Sequence, residues 1–329
     1  MSTDGTSLPS RPVDDLEARR RRRLVEELEE AGLPLDAYDP ATFDLLLDEV
    51  ARALRPEVHE RRVVVTGTVV SPRADPSGWE AGTTLAITRV DTGHQPLTAA
   101  RRFADGRSCW LCRHPDGTTE WLVFDRPAGS ERDLVVLADV LGATVVQRHP
   151  AGSVRVVGPF GVLRWENVRW HHEPPVRSWL GAVTGPGHGD PAVLESLLAF
   201  AVHDLGSLGI GSLLIHRPDG EPGPPVEARL PTPPQLRITT ATHLAPLRHA
   251  LTQVDGAAVF DGAGVLRQLG VRLIPSSAAE AEVDPLGGTR HTSARRYSHD
   301  DPRATVVAVS EDGPVSVLRA GELLFVDAP

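Results

Sequence analysis

Three short segments in the last quarter of the 329-residue chain set carboxylates, glycines and an arginine where chemistry could use them. In Leu286-Gly287-Gly288-Thr289-Arg290-His291 a glycine turn runs into a helical pattern that carries Arg290 and His291 in its first turn. Backbone N–H groups at a helix start point outward, glycines let a ligand approach the backbone, and the helix dipole favours negative charge. Such a segment suits an anion, and Arg290 adds a permanently charged planar fork for phosphate oxygens. The plain alternative is Thr289 as an ordinary N-cap, with Arg290 on the surface.

Val254-Asp255-Gly256-Ala257-Ala258-Val259-Phe260 puts a carboxylate and a glycine into an apolar run that reads as a buried strand. An unpaired buried carboxylate is costly, so Asp255 should be paired, metal-bound or exposed in a cleft. Otherwise it is a turn residue ahead of Gly256. Residues 304–311 form a β-branched run ending on Ser310-Glu311, with a turn at Asp312-Gly313. Polar residues at the end of a buried strand often build sites in α/β folds, although the same residues also make hairpins.

The elements that must position these segments alternate in type. Residues 184–191, Thr-Gly-Pro-Gly-His-Gly-Asp-Pro, break both helix and strand and lead into a helix capped by Asp190 with Pro191 at its first position. This divides the chain into 1–183 and 184–329. The second part reads as helix 192–205, strand 210–216, a Pro-rich loop 218–234, helix 243–253, strands 254–260 and 265–274, helix 290–298 and strands from 304 onward. The fold class is α/β, a mixed central sheet flanked by helices.

A smaller α+β domain, regulatory rather than chemical, precedes it. Helical spacing covers 12–55, and short β-type runs come next at 63–70, 109–113, 121–124, 154–157 and 162–165, with one helix at 131–141. The run Arg19–Arg23 is followed by Glu26, Glu27, Glu29 and Glu30 at helix-pairing distance, which makes a solvated, salt-bridged face. Cys109-Trp110-Leu111-Cys112 has zinc or redox spacing but no second pair, and His171-His172 also lacks a ligand set. Trp110, Trp165, Trp170 and Trp179 read as packing residues.

Asp255-Gly256-Ala257, Gly288-Thr289-Arg290-His291 and Val309-Ser310-Glu311, in this order, resemble the signature of the diadenylate cyclase family, which includes the nucleotide-binding domain of the DNA integrity scanning protein. The run 210–215 is similar to that family's opening strand, and the resemblance spans roughly residues 192–325. It implies a nucleotidyltransferase that joins two ATP molecules into cyclic di-AMP, with the sites of two copies facing each other in a homodimer or higher homo-oligomer. By the same resemblance Asp255 serves a divalent metal, Mg²⁺ or Mn²⁺, and the attacking 3′-hydroxyl, with Glu311 as the second metal-side carboxylate. Gly256, Ala257, Gly288, Thr289, Arg290, His291, Thr292 and Ser310 face the nucleotide, and Arg290 and His291 join Asp255 in catalysis. The family's Arg-His-Arg is here Arg290-His291-Thr292, so one cation is missing, and Arg295 or Arg296 is the expected substitute. A nucleotide-binding sensor for ATP or cyclic di-AMP that kept the pocket without turnover is the alternative.

Composition excludes several other chemistries. All 34 basic residues are arginines, so a P-loop, a kinase strand lysine and a pyridoxal Schiff base cannot be built in their usual form. A net charge of -10 argues against nucleic-acid coating, so DNA is an unexpected partner. The longest apolar region, 194–215, contains Glu195, His203 and Asp204, so no clean membrane span is expected. Residues 1–12 carry no secretory pattern, and two cysteines make no disulfide framework; the expected compartment is the cytoplasm.

Overall fold

The computed structural model describes residues 13–60, 62–73, 75–185, 187–219, 223, 226–228, 230–311 and 314–326. The readings for residues 1–12 and for Asp312-Gly313, and part of the Pro-rich loop, lie outside the described residues. The chain divides into two units, one running up to Gly129 and including Leu134–Glu173, the other formed by Ser130–Asp133 and the residues from Pro174 on. The second unit thus begins ten residues ahead of the Gly/Pro-rich stretch read as the boundary. Val176, Trp179 and Val183 are buried in its core, with Trp179 stacked on Phe325 at 4.0 Å, so this segment belongs with the C-terminal unit.

The first unit is built on an eight-stranded mixed sheet, in which the neighbouring strands Thr66–Val70 and Cys109–Arg113 are parallel. Helix Pro40–Leu54, capped by the Asp39 carboxylate on the Thr42 amide at 3.0 Å, packs Leu46, Leu47 and Val50 on one face. Leu134, Leu137, Ala138 and Leu141 pack on the other. Glu49 is buried but satisfied, accepting from Thr68 Oγ1 at 2.9 Å and pairing with Arg101 and Arg113. Cys112 is buried and Cys109 half-buried; burial, then Asp105, pushes the Cys109 thiol up to about 11, a poor thiolate former.

The second unit starts where the Asp190 carboxylate accepts from the Ala192 amide at 2.9 Å, opening helix α1 (Pro191–Ala199). The chain continues as a π-helical turn, Phe200–Leu205, and a 3-10 turn, Gly206–Leu208, instead of one regular helix over 192–205. By length and composition Pro191–Leu208 is apolar enough to cross a membrane; here Leu197, Leu198, Phe200 and Leu205 are core residues.

Then come β1 (Ser212–Arg217), β2 (Val226–Ala228), α2 (Ala241–Gln253), β3 (Ala257–Asp261), β4 (Leu266–Leu273), α3 (Ser277–Glu282), α4 (Thr289–Asp300), β5 (Thr305–Val309), β6 (Val315–Arg319) and β7 (Glu322–Val326). The sheet order is β2-β4-β3-β1-β5-β6-β7, with β1 and β3 parallel and every other pair antiparallel. Successive side chains of a strand face opposite sides, and both sides are covered: Leu214, Phe260 and Val307 pack with α1 and α2, while Leu213, Ile215 and Val306 pack with Ala294 and Tyr297 of α4. That double burial explains the unbroken apolar runs.

One buried histidine should make this unit acid-sensitive. His216 on β1 is fully buried, and neither ring nitrogen has a hydrogen-bond partner among the described residues. Burial, reinforced by Arg319, lowers it to about 4. An unfolded chain holds its histidine near ~6.5, so only the unfolded state takes up this proton as pH falls from there to about 4. Stability is full above that window and should drop through it by on the order of 3 kcal/mol. Chemical denaturation of wild type and His216→Met across the window checks this: the variant should lose most of the wild type's acid slope, and an unchanged slope would contradict it.

Candidate nucleotide site

The register of the sheet brings the three sequence segments to one end. Leu213 pairs with Ala257 and Ser212 with Val309, so Gly256 falls beside Ser212 and Ser310 beside Gly211, where β1 and β3 start and β5 ends. A cavity of about 1070 Å³ opens there, walled by Asp255, Gly256, Ala257, Gly287 to His291 and Ser310 and floored by apolar residues such as Leu213, Val271, Leu273, Leu286 and Leu323. Polar groups convergent on an apolar floor, in a volume close to the usual upper end of ~1,000 Å³, make this the candidate ligand site.

Asp255 does not interrupt a buried strand. It precedes β3, is exposed, and its Oδ1 accepts from the Gly256 amide at 2.9 Å. Gly256 takes φ +111, and a Cβ there would lie 2.7 Å from the Gly270 carbonyl carbon and 3.0 Å from the Val271 nitrogen. The carboxylate is therefore aimed by a backbone only glycine can adopt. Gly256→Ala should cost ~1–3 kcal/mol of stability by denaturant titration and displace Asp255; unchanged stability would refute this backbone requirement.

The anion-binding reading of the glycine turn also gains detail. The N-cap of α4 is Gly288 and not Thr289, and no side chain caps the helix, so its first amides stay available. Gly287 needs its φ of +57, but Gly288 has φ -77, and nothing among the described residues lies within 4 Å of where its Cβ would be. Neither conformation nor packing requires glycine at 288, and the backbone there is open to close approach.

Arg290 lies over the start of β1, where a Cβ on Gly211 would fall 2.4 Å from Arg290 Nη1. The missing side chain at Gly211 makes room for the guanidinium, a role that the sequence reading of 210–215 as a strand did not assign. Arg290 also pairs with Glu311 at 3.3 Å. Glu311 is not on the cavity wall, so the structure joins it to Arg290 rather than to Asp255. Burial first, then Arg290, lowers the His291 pKa, so its imidazole is neutral at pH 7 and offers a hydrogen bond rather than a charge.

Thr292 is not brought to the wall. Its hydroxyl donates to the Leu286 carbonyl at 3.3 Å and accepts from the Leu286 amide at 3.2 Å, closing the glycine turn. The expected substitution by Arg295 or Arg296 is corrected as well. Arg295 donates to the carbonyls of Gly321 at 2.8 Å and Asp284 at 3.2 Å, and neither arginine lines the cavity. Arg272 of β4 is also among the lining residues, a position that sequence reasoning missed because an arginine in a strand carries no motif.

Among the described residues no cluster of three or more His, Cys, Asp or Glu side chains could hold a metal. Asp255 is the one acidic residue on the described wall, and no donor among the described residues reaches its Oδ2. A hard cation that keeps its waters and binds through one carboxylate plus substrate phosphates fits that donor set.

Residues 237–323 match the family described as DisA bacterial checkpoint controller nucleotide-binding, DAC, and the match contains all three segments at the cavity. The match lies within the second unit. Residues 22–173 match a separate family, described as "Probable sensor domain DACNK". A search of curated proteins finds no match. Two solved structures resemble the chain over 42% of its length. One is a hypothetical membrane spanning protein from Bacillus cereus, with 22% identity, 72% of that chain covered and a TM-score of 0.28. The other is a double mutant of DacA from Staphylococcus aureus, with 19% identity, 87% covered and a TM-score of 0.28. The sequence match and the cavity, not these superpositions, carry the reading of the DAC domain.

Proposed function

We propose that the DAC domain is a diadenylate cyclase that condenses two ATP molecules into cyclic di-AMP and two pyrophosphates. The observation that carries this is the convergence of Asp255, the uncapped start of α4 and Arg290 on one cavity inside the matched residues. The triphosphate lies over the amides at Gly288 and Thr289, with Arg290 on its oxygens and neutral His291 as a hydrogen-bond partner; the apolar floor takes the base. Asp255 accepts the hydrogen bond and then the proton of the attacking 3′-hydroxyl. The 3′-oxygen of one ATP forms a bond to the α-phosphorus of the other, the bond to the β-phosphate oxygen breaks, and pyrophosphate leaves; the reciprocal step closes the ring.

A second copy of the domain faces the first to bring the two nucleotides together, so the working form is a homodimer or larger. Nucleotidyl transfer gains most from alignment and from donors placed at developing charge, which this wall supplies in fixed positions. A divalent cation held by Asp255, Mg²⁺ or Mn²⁺, supplies further neutralisation of phosphate charge when bound. Cytoplasmic residence, where ATP is available and Cys109 and Cys112 stay reduced, belongs to the same proposal.

The test is incubation of the full chain with ATP and either metal, with nucleotides separated and weighed by mass spectrometry. Cyclic di-AMP with two equivalents of pyrophosphate supports the cyclase. Bound ATP with no product would overturn it in favour of a nucleotide sensor.

A further inference from the structure

We infer that Thr292 and Arg295 are positioning residues for the phosphate end of the nucleotide site: they strap residues 284–288 to α4 so that the first amides of the helix stay open to the cavity. This rests on the ATP reading above. The amides concerned are those of Thr289, Arg290 and His291, residues that all line the cavity. The helical ladder of α4 begins only with the Thr292 amide, which donates to the Gly288 carbonyl at 3.1 Å. Among the described residues no acceptor takes any of the three amides before it.

An N-cap side chain ordinarily occupies one of these donors. Here the cap is Gly288, and Gly287 before it sits at φ +57. Glycines lose the most conformational freedom on being fixed, so a turn built from them with no capping side chain needs another constraint. Side chains further along α4 supply it. The Thr292 hydroxyl donates to the Leu286 carbonyl at 3.3 Å and accepts from the Leu286 amide at 3.2 Å, one hydroxyl used in both senses. Three residues on, and so on the same side of the helix, Arg295 donates to the Asp284 carbonyl at 3.2 Å and to the Gly321 carbonyl at 2.8 Å. Leu286 is held a second time by its side chain, which packs against the cluster containing Ala294 and Tyr297. The two positions that could have added cations to the site hold its backbone instead. Both Thr292 bonds are long, so their joint loss should loosen the turn without unfolding the domain.

The test compares wild type, Thr292→Val and Thr292→Ser in equilibrium binding of 3′-deoxyATP with Mg²⁺, which cannot cyclise, and of 3′-deoxyadenosine. Thermal melts of the variants serve as the fold control. Thr292→Val keeps the shape and loses both bonds; it should weaken 3′-deoxyATP roughly tenfold and leave 3′-deoxyadenosine within about twofold. Thr292→Ser restores the hydroxyl and should bring 3′-deoxyATP back to within about twofold of wild type. Unchanged 3′-deoxyATP affinity in Thr292→Val, equal losses for both ligands, or no recovery in Thr292→Ser would each overturn the assignment while leaving the cyclase reading intact. If Thr292→Val does not fold, Arg295→Lys decides, because it keeps the charge but not the fork that spans two carbonyls. It should weaken 3′-deoxyATP about threefold or more and spare 3′-deoxyadenosine, and an unchanged affinity would overturn the assignment. Wild type that binds no 3′-deoxyATP would overturn the ATP reading itself, and this inference with it.

Discussion

Asp255→Asn should leave a folded protein that forms cyclic di-AMP roughly 10³-fold more slowly or not at all. The fold is safe because Asp255 lies outside the strand and an asparagine oxygen can still accept from the Gly256 amide at 2.9 Å. The chemistry is not, since an amide neither takes the 3′-hydroxyl proton nor holds a hard cation as a carboxylate does. Product formation alongside a circular dichroism melt separates the two effects. Near-normal turnover with a normal melt would remove Asp255 from the mechanism.

Arg290→Gln should have the second largest effect, lowering kcat/KM by about 10²–10³, or ~2.7–4 kcal/mol of transition-state stabilisation. The ion pair with Glu311 at 3.3 Å has its carboxylate largely exposed, so its loss should cost at most ~1 kcal/mol of fold stability. A fall in kcat with little change in KM would place Arg290 on charge that develops during transfer; a change in KM alone would place it on ground-state binding. Steady-state kinetics against ATP reads both, and unaltered kinetics would contradict its place at the triphosphate.

Much of this architecture was legible in the sequence because the relevant physics is local. Asp190-Pro191 announces a helix start, the apolar runs 254–260 and 304–311 announce buried strands, and the glycine turn announces a helix start; the helices appear in the fold, and the strands do so over Ala257–Asp261 and Thr305–Val309. What was illegible depends on tertiary distance. The turn that frees Asp255 from the strand is set by contact of Gly256 with Gly270 and Val271, which are far along the chain. That Thr292 folds back on Leu286 and Arg295 points at carbonyls is a result of packing, and no spacing encodes it. Gly211 was visible as a glycine before a strand, but its role as the floor under Arg290 appears only with β1 and α4 in place.

The most direct measurement of the central claim is pyrophosphate release from ATP and from 3′-deoxyATP under identical metal conditions. The 3′-hydroxyl is the nucleophile in this account, so ATP should yield cyclic di-AMP with two pyrophosphates while 3′-deoxyATP binds and yields none. Equal release from both nucleotides would mean that water attacks the phosphate, and it would contradict the cyclase assignment.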